Sequence, residues 1–267
     1  MKTPDMSLVL VGAGNVAMAL GPALQQAGYP IRQVYSRSEA SAGTLAGELN
    51  VPFTVSPREI VDDADGYVFS LKDDALVSVL SRMRRPKHGI YIHTAGSLPA
   101  DVFEPYASRY GVLYPLQTFS KGRAVSFSEV PLFVEAGTPD DEQLLLQLAR
   151  SLSRNVRLLA GEKRRYLHLA AVFACNFTNH MYTLASDVLT EQSLEFDWLL
   201  PLIRETARKV ETLSPAEAQT GPAVRYDESV MDKHLQLLTD ENRRDVYRLI
   251  SRSIHLHSEN ENKKTDQ

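Results

Sequence analysis

The stretch Val9-Leu10-Val11-Gly12-Ala13-Gly14-Asn15-Val16-Ala17 decides the fold of this chain. Its aliphatic start reads as a buried strand, and it runs without a polar linker into a helical pattern over 16–27. The second half is G-x-G-x-x-A. Gly12 permits a tight turn, Gly14 lets a ligand approach the backbone, and Ala17 keeps the helix close to the strand. The free N–H groups at the positive end of such a helix attract a phosphate. Alone the motif recurs by chance. Here a strand precedes it, a helix follows, and a second strand begins roughly 20 residues on, as a dinucleotide site requires. The competing reading is a glycine-rich turn that binds nothing.

Outward from this point the chain alternates. Strands are expected over 7–12, 31–36, 51–55, 66–70, 90–93, 111–114, 132–135 and 156–159, with helices over 16–27, 39–49, 74–83 and 140–151. That alternation predicts βαβ units and a mostly parallel sheet covered on both faces. After about Gly161 the strands stop, and helices are expected over 164–193, 196–213 and 240–255. The fold class is therefore α/β: a Rossmann-type sheet domain over 1–160, an all-α domain over 161–257, and a disordered tail over 258–267.

The second strand ends Ser36-Arg37-Ser38. An acid there would hold a ribose 2′-hydroxyl and select NAD. Two hydroxyls flanking a guanidinium suit a 2′-phosphate instead, through charge-assisted hydrogen bonds. NADP is thus the expected cofactor, held by Gly12, Ala13, Gly14, Asn15, Val16, Ser36, Arg37 and Ser38, with Leu71 and Lys72 at the fourth strand end. Arg37 as a plain solvated cation is the alternative. Asp73 or Asp74 is expected to cap the next helix.

Ligands of open α/β sheets lie beyond the carboxyl ends of the strands. His93 and Gln117 stand at the fifth and sixth strand ends with no capping or turn-making duty to explain them, and are read as site residues. In the long helix, Asn176, Asn179, His180 and Thr183 share one face of an otherwise apolar, buried-looking helix. Neutral hydrogen-bonding side chains in such a stripe suit a cleft lining, or an interhelical network. Thr220-Gly221-Pro222 is a rigid loop followed by Arg225 and Asp227, which are read as orienting one another or binding an anionic substrate, with His234 shortly after. A surface ion pair is the plainer alternative.

Bulk properties narrow the classes. The 267 residues suit two modest domains, and 43% hydrophobic with 23% charged residues is ordinary globular composition. A net charge of −4 gives no basic footprint for nucleic acid or an anionic membrane. The single cysteine, Cys175, rules out an intramolecular disulfide, and its apolar neighbours predict burial. No leader pattern opens the sequence, and no run approaches the roughly 20 apolar residues of a membrane span. A cytoplasmic location is expected, and no metal-ligand set is read.

Taken together, Gly12-Ala13-Gly14-Asn15-Val16-Ala17, Tyr114-Pro115-Leu116-Gln117-Thr118, Asn176 with His180, and Thr220-Gly221-Pro222 through Arg225 and Asp227 resemble one superfamily. It includes 6-phosphogluconate dehydrogenase, pyrroline-5-carboxylate reductase and the deazaflavin-dependent NADP reductases. The resemblance is greatest to a branch with a C-terminal domain of unknown function, and it extends to about His257. It implies an N-terminal NADP-binding domain, an all-helical partner domain and a homodimer formed through the helices. It also implies hydride transfer between NADP(H) and a small polar carbonyl or imine substrate bound between the domains; His93, Asn176 and His180 are read as the catalytic residues. Gln117, Asn179, Thr220, Arg225, Asp227 and His234 would contact the substrate. One departure stands out: the hydroxyacid dehydrogenases of the superfamily carry a lysine four residues before the helix asparagine, where this chain has Val172. The proton then falls to His93, His180, His234 or water. A non-catalytic NADP-binding sensor is the alternative function. An S-adenosylmethionine methyltransferase is a third, disfavoured by the basic second-strand end.

Overall fold

The computed structural model describes residues 6–265, so Met1–Asp5 of the segment read as free of a leader, and the last two tail residues, lie outside the described residues. Among the described residues, eight strands form one sheet: β1 (Leu8–Val11), β2 (Ile31–Tyr35), β3 (Phe53–Thr54), β4 (Gly66–Phe69), β5 (Ile90–His93), β6 (Tyr110–Pro115), β7 (Leu132–Ala136) and β8 (Val156–Leu158). Their order is β3-β2-β1-β4-β5-β6-β7-β8, parallel throughout except between β6 and β7. The chain reverses its direction of sheet growth between β1 and β4, and a crevice opens at such a switch point.

Helices α1 (Asn15–Gln26), α2 (Glu39–Leu49), α3 (Asp73–Leu80) and α4 (Pro139–Leu152) cover the sheet. Strand pleating explains why β1 reads as an unbroken apolar run. Leu8 and Leu10 pack with α1, α2 and α4 residues on one face, while Val9 and Val11 pack with Leu76 and Val79 of α3 on the other. Helix α4 carries its own start signals: Thr138 caps the Asp141 N–H at 3.2 Å and Pro139 sits at the first helical position.

The remaining elements are helical: α5 (Gly161–Ala171), a π turn (Val172–Phe177), α6 (Thr178–Glu191), α7 (Leu200–Lys209), the short α8 (Pro215–Ala218), α9 (Glu228–Leu237) and α10 (Glu241–Thr265). Three expectations are corrected here. The segment 164–193 is helical but not regular, because an extra residue is accommodated in the π turn. It is also not buried: Phe173, Cys175 and Phe177 are exposed, so the apolar neighbours of Cys175 shield nothing. The polar tail continues α10 as helix to Thr265, where 258–267 was expected to be disordered. Two compact units are resolved, one ending at Cys175 and the other starting at Asn176. That division falls later than the end of the strands at 160, because α5 belongs with the sheet. Fully buried Arg164 ties α5 to Glu135 of β7 and to the Leu98 carbonyl.

Candidate dinucleotide and reaction site

The turn after β1 uses its two glycines differently. Gly12 has φ +123°, and a Cβ there would lie 2.3 Å from the Ser70 carbonyl oxygen at the end of β4. Only glycine fits. Gly14 is the N-cap of α1 in ordinary extended geometry, and a Cβ there would meet nothing within 4 Å. The backbone is therefore open above the first turn of α1, where no side chain caps the helix and no acid stands. An anion fits that end. Ala13 and Ala17 are buried, and a Cβ on Gly21 would lie 2.8 Å from the Leu10 side chain, so small residues on two turns set the close approach of α1 to β1. Asn15 donates its side-chain amide to the Phe119 carbonyl at 3.0 Å, tethering the loop after β6, and Val16 is half-buried.

At the end of β2, the Ser36 hydroxyl accepts the Ser38 N–H at 3.3 Å, and the Ser38 hydroxyl caps α2 by accepting the Ser41 N–H at 3.3 Å. Arg37 is exposed and has no ion-pair partner among the described residues. Burial raises the pKa of the Tyr35 phenol, against the opposing pull of the Arg82 and Arg37 cations nearby. This strand end is thus positively charged, with a helix N-terminus beside it. A 2′-phosphate matches it, and the glycine turn matches a pyrophosphate.

The next strand ends are bound to one another. Thr94 donates its hydroxyl to Ser70 at 3.2 Å, and the Ser97 hydroxyl donates to the Asp73 carboxylate. Lys72, not an aspartate, is the N-cap of α3, and it caps with no side chain. Asp73 and Asp74 lie in the first turn. Leu71 packs near Gly12, and Lys72 is exposed.

His93 does not fit the acid–base role expected of it. Only 1% exposed, it accepts the Ala95 N–H on Nδ1 at 3.2 Å, which puts the ring proton on Nε2, 3.2 Å from the Pro99 carbonyl. Burial, with the Arg164 cation adding to it, pulls its pKa down to about 4 against the Pro99 hydrogen bond. Both nitrogens are committed to shaping the loop after β5.

A different pair stands open beside it, and the sequence reading missed it. The Tyr114 hydroxyl at the end of β6 lies 2.9 Å from Nδ1 of His168 on α5. Arg164, one turn earlier on the same helix, is fully buried. The available signal was Arg164 and His168 at i and i+4, opposite a tyrosine in a strand-end motif. Gln117 is exposed on the loop after β6; its side-chain oxygen accepts the Thr118 backbone N–H at 2.8 Å, and its own backbone N–H donates to the Pro115 carbonyl at 3.1 Å.

The second unit holds the other expected residues. Asn176, Asn179, His180 and Thr183 are exposed, and Thr183 bonds back to the Asn179 carbonyl at 3.4 Å. Arg225 and Asp227 form no ion pair among the described residues. Asp227 instead caps α9 by accepting the Val230 N–H at 3.3 Å, so the expected mutual orientation is replaced by a helix cap. Thr220 and His234 are brought together on an apolar pocket of about 550 Å³. There His234 bonds the Tyr247 hydroxyl through Nδ1 at 2.8 Å. Among the described residues no cluster of three metal-ligating side chains occurs, and no helix is long and apolar enough to cross a membrane.

An open, mostly parallel sheet with this glycine turn and a cationic second-strand end defines a Rossmann-type dinucleotide-binding protein with NADP as its cofactor. The comparisons with known proteins agree. Residues 7–96 match the family described as NADP oxidoreductase, coenzyme F420-dependent, and residues 130–254 match a domain of unknown function (DUF2520). A crystal structure from Bacteroides fragilis, described as an NADP oxidoreductase, is 48% identical, with a TM-score of 0.89 and coverage of 94% of this chain and 98% of that one. This chain belongs to the same family of NADP oxidoreductases. An imine reductase from Myxococcus stipitatus with NADP+ (17% identical, TM-score 0.63, 97% and 94% covered) shares its fold. So does a pyrroline carboxylate reductase from Plasmodium falciparum with NADP (13% identical, TM-score 0.57, 94% and 100% covered). No curated protein matches the chain.

Proposed function

We propose that this NADP-dependent oxidoreductase reduces a small polar substrate with a C=N or C=O bond. The observation that carries the reading is the pair of unlike glycines, Gly12 forced by backbone and Gly14 open to a phosphate, beside unpaired Arg37. Bound NADPH would supply hydride. Gly12, Ala13, Gly14, Asn15, Val16 and Leu71 shape its seat, while Ser36, Arg37, Ser38 and Lys72 add polar or charged groups. Val172 in place of a lysine turns the preference from hydroxyacids toward imines and carbonyls, and imine and pyrroline carboxylate reductases share the fold.

The same proposal keeps Gln117, Asn176, Asn179, His180, Thr220 and Arg225 as substrate-facing groups, since each is exposed and polar. It gives Asp227 and His234 supporting roles, and includes a cytoplasmic location, where exposed Cys175 stays a thiol. It also includes a homodimer through the helices, supported by exposed Phe173, Trp198, Leu202 and Leu237.

The test is consumption of NADPH with cyclic imines, amine–ketone mixtures and keto acids as probes, and formation of NADPH from NADP+ with hydroxyacids. Turnover of an imine or carbonyl is expected. Turnover of hydroxyacids alone contradicts the substrate class. Tight NADPH binding with no turnover favours the second reading, an NADP-binding sensor, for which the lysine-to-valine departure is the specific observation.

A further inference from the structure

We propose that His168 is the proton-carrying residue of this reaction and that Tyr114 is its positioning residue, an inference that rests on the functional reading above. The imidazole is held on two sides. Tyr114 fixes Nδ1 at 2.9 Å, and the two rings meet edge to face with centroids 5.9 Å apart. Gly96, in the loop after β5, lies so close that a Cβ there would fall 2.6 Å from Cγ of the ring. Nε2 has no hydrogen-bond partner among the described residues, and the side chain is partly exposed. One nitrogen is therefore anchored while the other is free to exchange a proton. His93 offers the contrast, since its two nitrogens are both engaged within the protein.

Tyr114 can serve both states of the ring. Burial raises the phenol's pKa, with the Arg164 cation as the opposing influence, so it remains protonated near neutral pH. A neutral His168 accepts the phenol proton on Nδ1 and carries its own on Nε2. A cationic His168 donates Nδ1–H to the phenol oxygen without moving. The charged group facing this pair from the same helix is Arg164, which is paired with Glu135 of β7. Gly96 contributes backbone alone.

In the reductive direction, bound NADPH would supply the hydride to the substrate carbon, leaving the former π pair on its nitrogen or oxygen. That atom takes the Nε2 proton of cationic His168: the N–H bond breaks, the new N–H or O–H bond forms, and the ring becomes neutral. Solvent returns a proton to Nε2. The oxidative direction reverses each transfer.

The test uses full-length wild type, Tyr114→Phe and His168→Asn, with His168→Gln as a second variant should the first fail to fold. NADPH affinity is measured by fluorescence, turnover with 1-pyrroline-2-carboxylate and glyoxylate as probes, and the His168 ring by long-range 1H–15N spectra across pH. Expected are near-wild-type NADPH affinity in the His168 variant and a kcat lowered by about 100-fold or more. Tyr114→Phe is expected to keep KM, lower kcat by roughly tenfold, abolish the Nε2–H tautomer preference and move the pH profile together with the ring titration. Turnover by the His168 variants at wild-type rate overturns the proton role, and an unchanged tautomer and pH profile in Tyr114→Phe overturns the positioning role. A wild type that binds NADPH but consumes neither probe refutes the functional reading and the proton role with it. Wild-type turnover matched by the His168 variants refutes the proton role alone.

Discussion

The two compact units spend their apolar residues in opposite ways. The first wraps strands whose alternate residues are buried on both faces, from Leu8 at 0% exposed to Ile92 at 0%. In the second, the buried hydrophobic residues among those described are Ala223 and Met231, while Trp198, Leu202, Leu237 and Leu249 are each at least 62% exposed. Parallel strands cannot satisfy their backbone without neighbours, so a sheet brings its core with it. Helices satisfy their backbone locally and can leave an apolar stripe on the surface. Hydrophobic content therefore marks the core in the first unit and a surface for the proposed second copy in the other. The proposed site chemistry follows the same division: the residues proposed to hold NADP and the Tyr114–His168 pair all lie in the first unit.

The comparison can be broken most severely at Arg164. Arg164→Met leaves the Glu135 carboxylate and the Leu98 carbonyl without their buried cation, and is expected to cost about 3–5 kcal/mol in urea unfolding of the sheet unit. A loss below about 1 kcal/mol would mean that α5 is not anchored as described. Next, Leu10→Ala should destabilise by about 2–5 kcal/mol. Leu202→Ala should change subunit stability by less than about 0.5 kcal/mol while weakening self-association in sedimentation equilibrium. Equal losses from both substitutions at every protein concentration would erase the distinction between the units.

His93 gives a smaller and pH-dependent effect. Its folded pKa of about 4 lies below the ordinary 6.5, so folding favours the neutral ring. The unfolded chain binds more protons between those values. Stability is therefore full above pH 6.5 and falls as pH drops toward 4, by about 3 kcal/mol in all. Chemical denaturation across that range should show the slope in wild type, with a flatter profile in His93→Asn. Smallest in stability is Gly14→Ala, expected within about 0.5 kcal/mol of wild type because its Cβ meets no protein atom. Its NADPH affinity should nevertheless fall about tenfold or more, or ~1.4 kcal/mol, in the same fluorescence titration. Unchanged affinity would move the phosphate away from this turn.

Much of the sheet unit was legible because its signals are local. The apolar run into G-x-G-x-x-A, the Ser36-Arg37-Ser38 strand end, and β5 over the expected 90–93 follow from period and turn chemistry. Contacts between distant segments were not legible. Tyr114 and His168 are 54 residues apart, and the i, i+4 spacing of Arg164 and His168 does not say which strand end the ring meets. His93 was singled out because it lacked a local duty, but its duty is a loop it folds around itself. The helical segment misled for a physical reason: an apolar pattern marks a helix surface that can be covered, and does not say whether its own chain covers it. Cys175 was accordingly read as buried although it is exposed, while the exposed Asn176, Asn179 and His180 remain proposed substrate-facing groups.

Binding of NADP(H) by the glycine turn and Arg37 is the central proposal. Titration of purified wild type and Arg37→Ala with NADPH and NADH tests it most directly. The predicted result is NADPH bound at least about tenfold more tightly than NADH, with that preference lost selectively in Arg37→Ala. Equal affinity for both cofactors in wild type, or binding of neither, would contradict it.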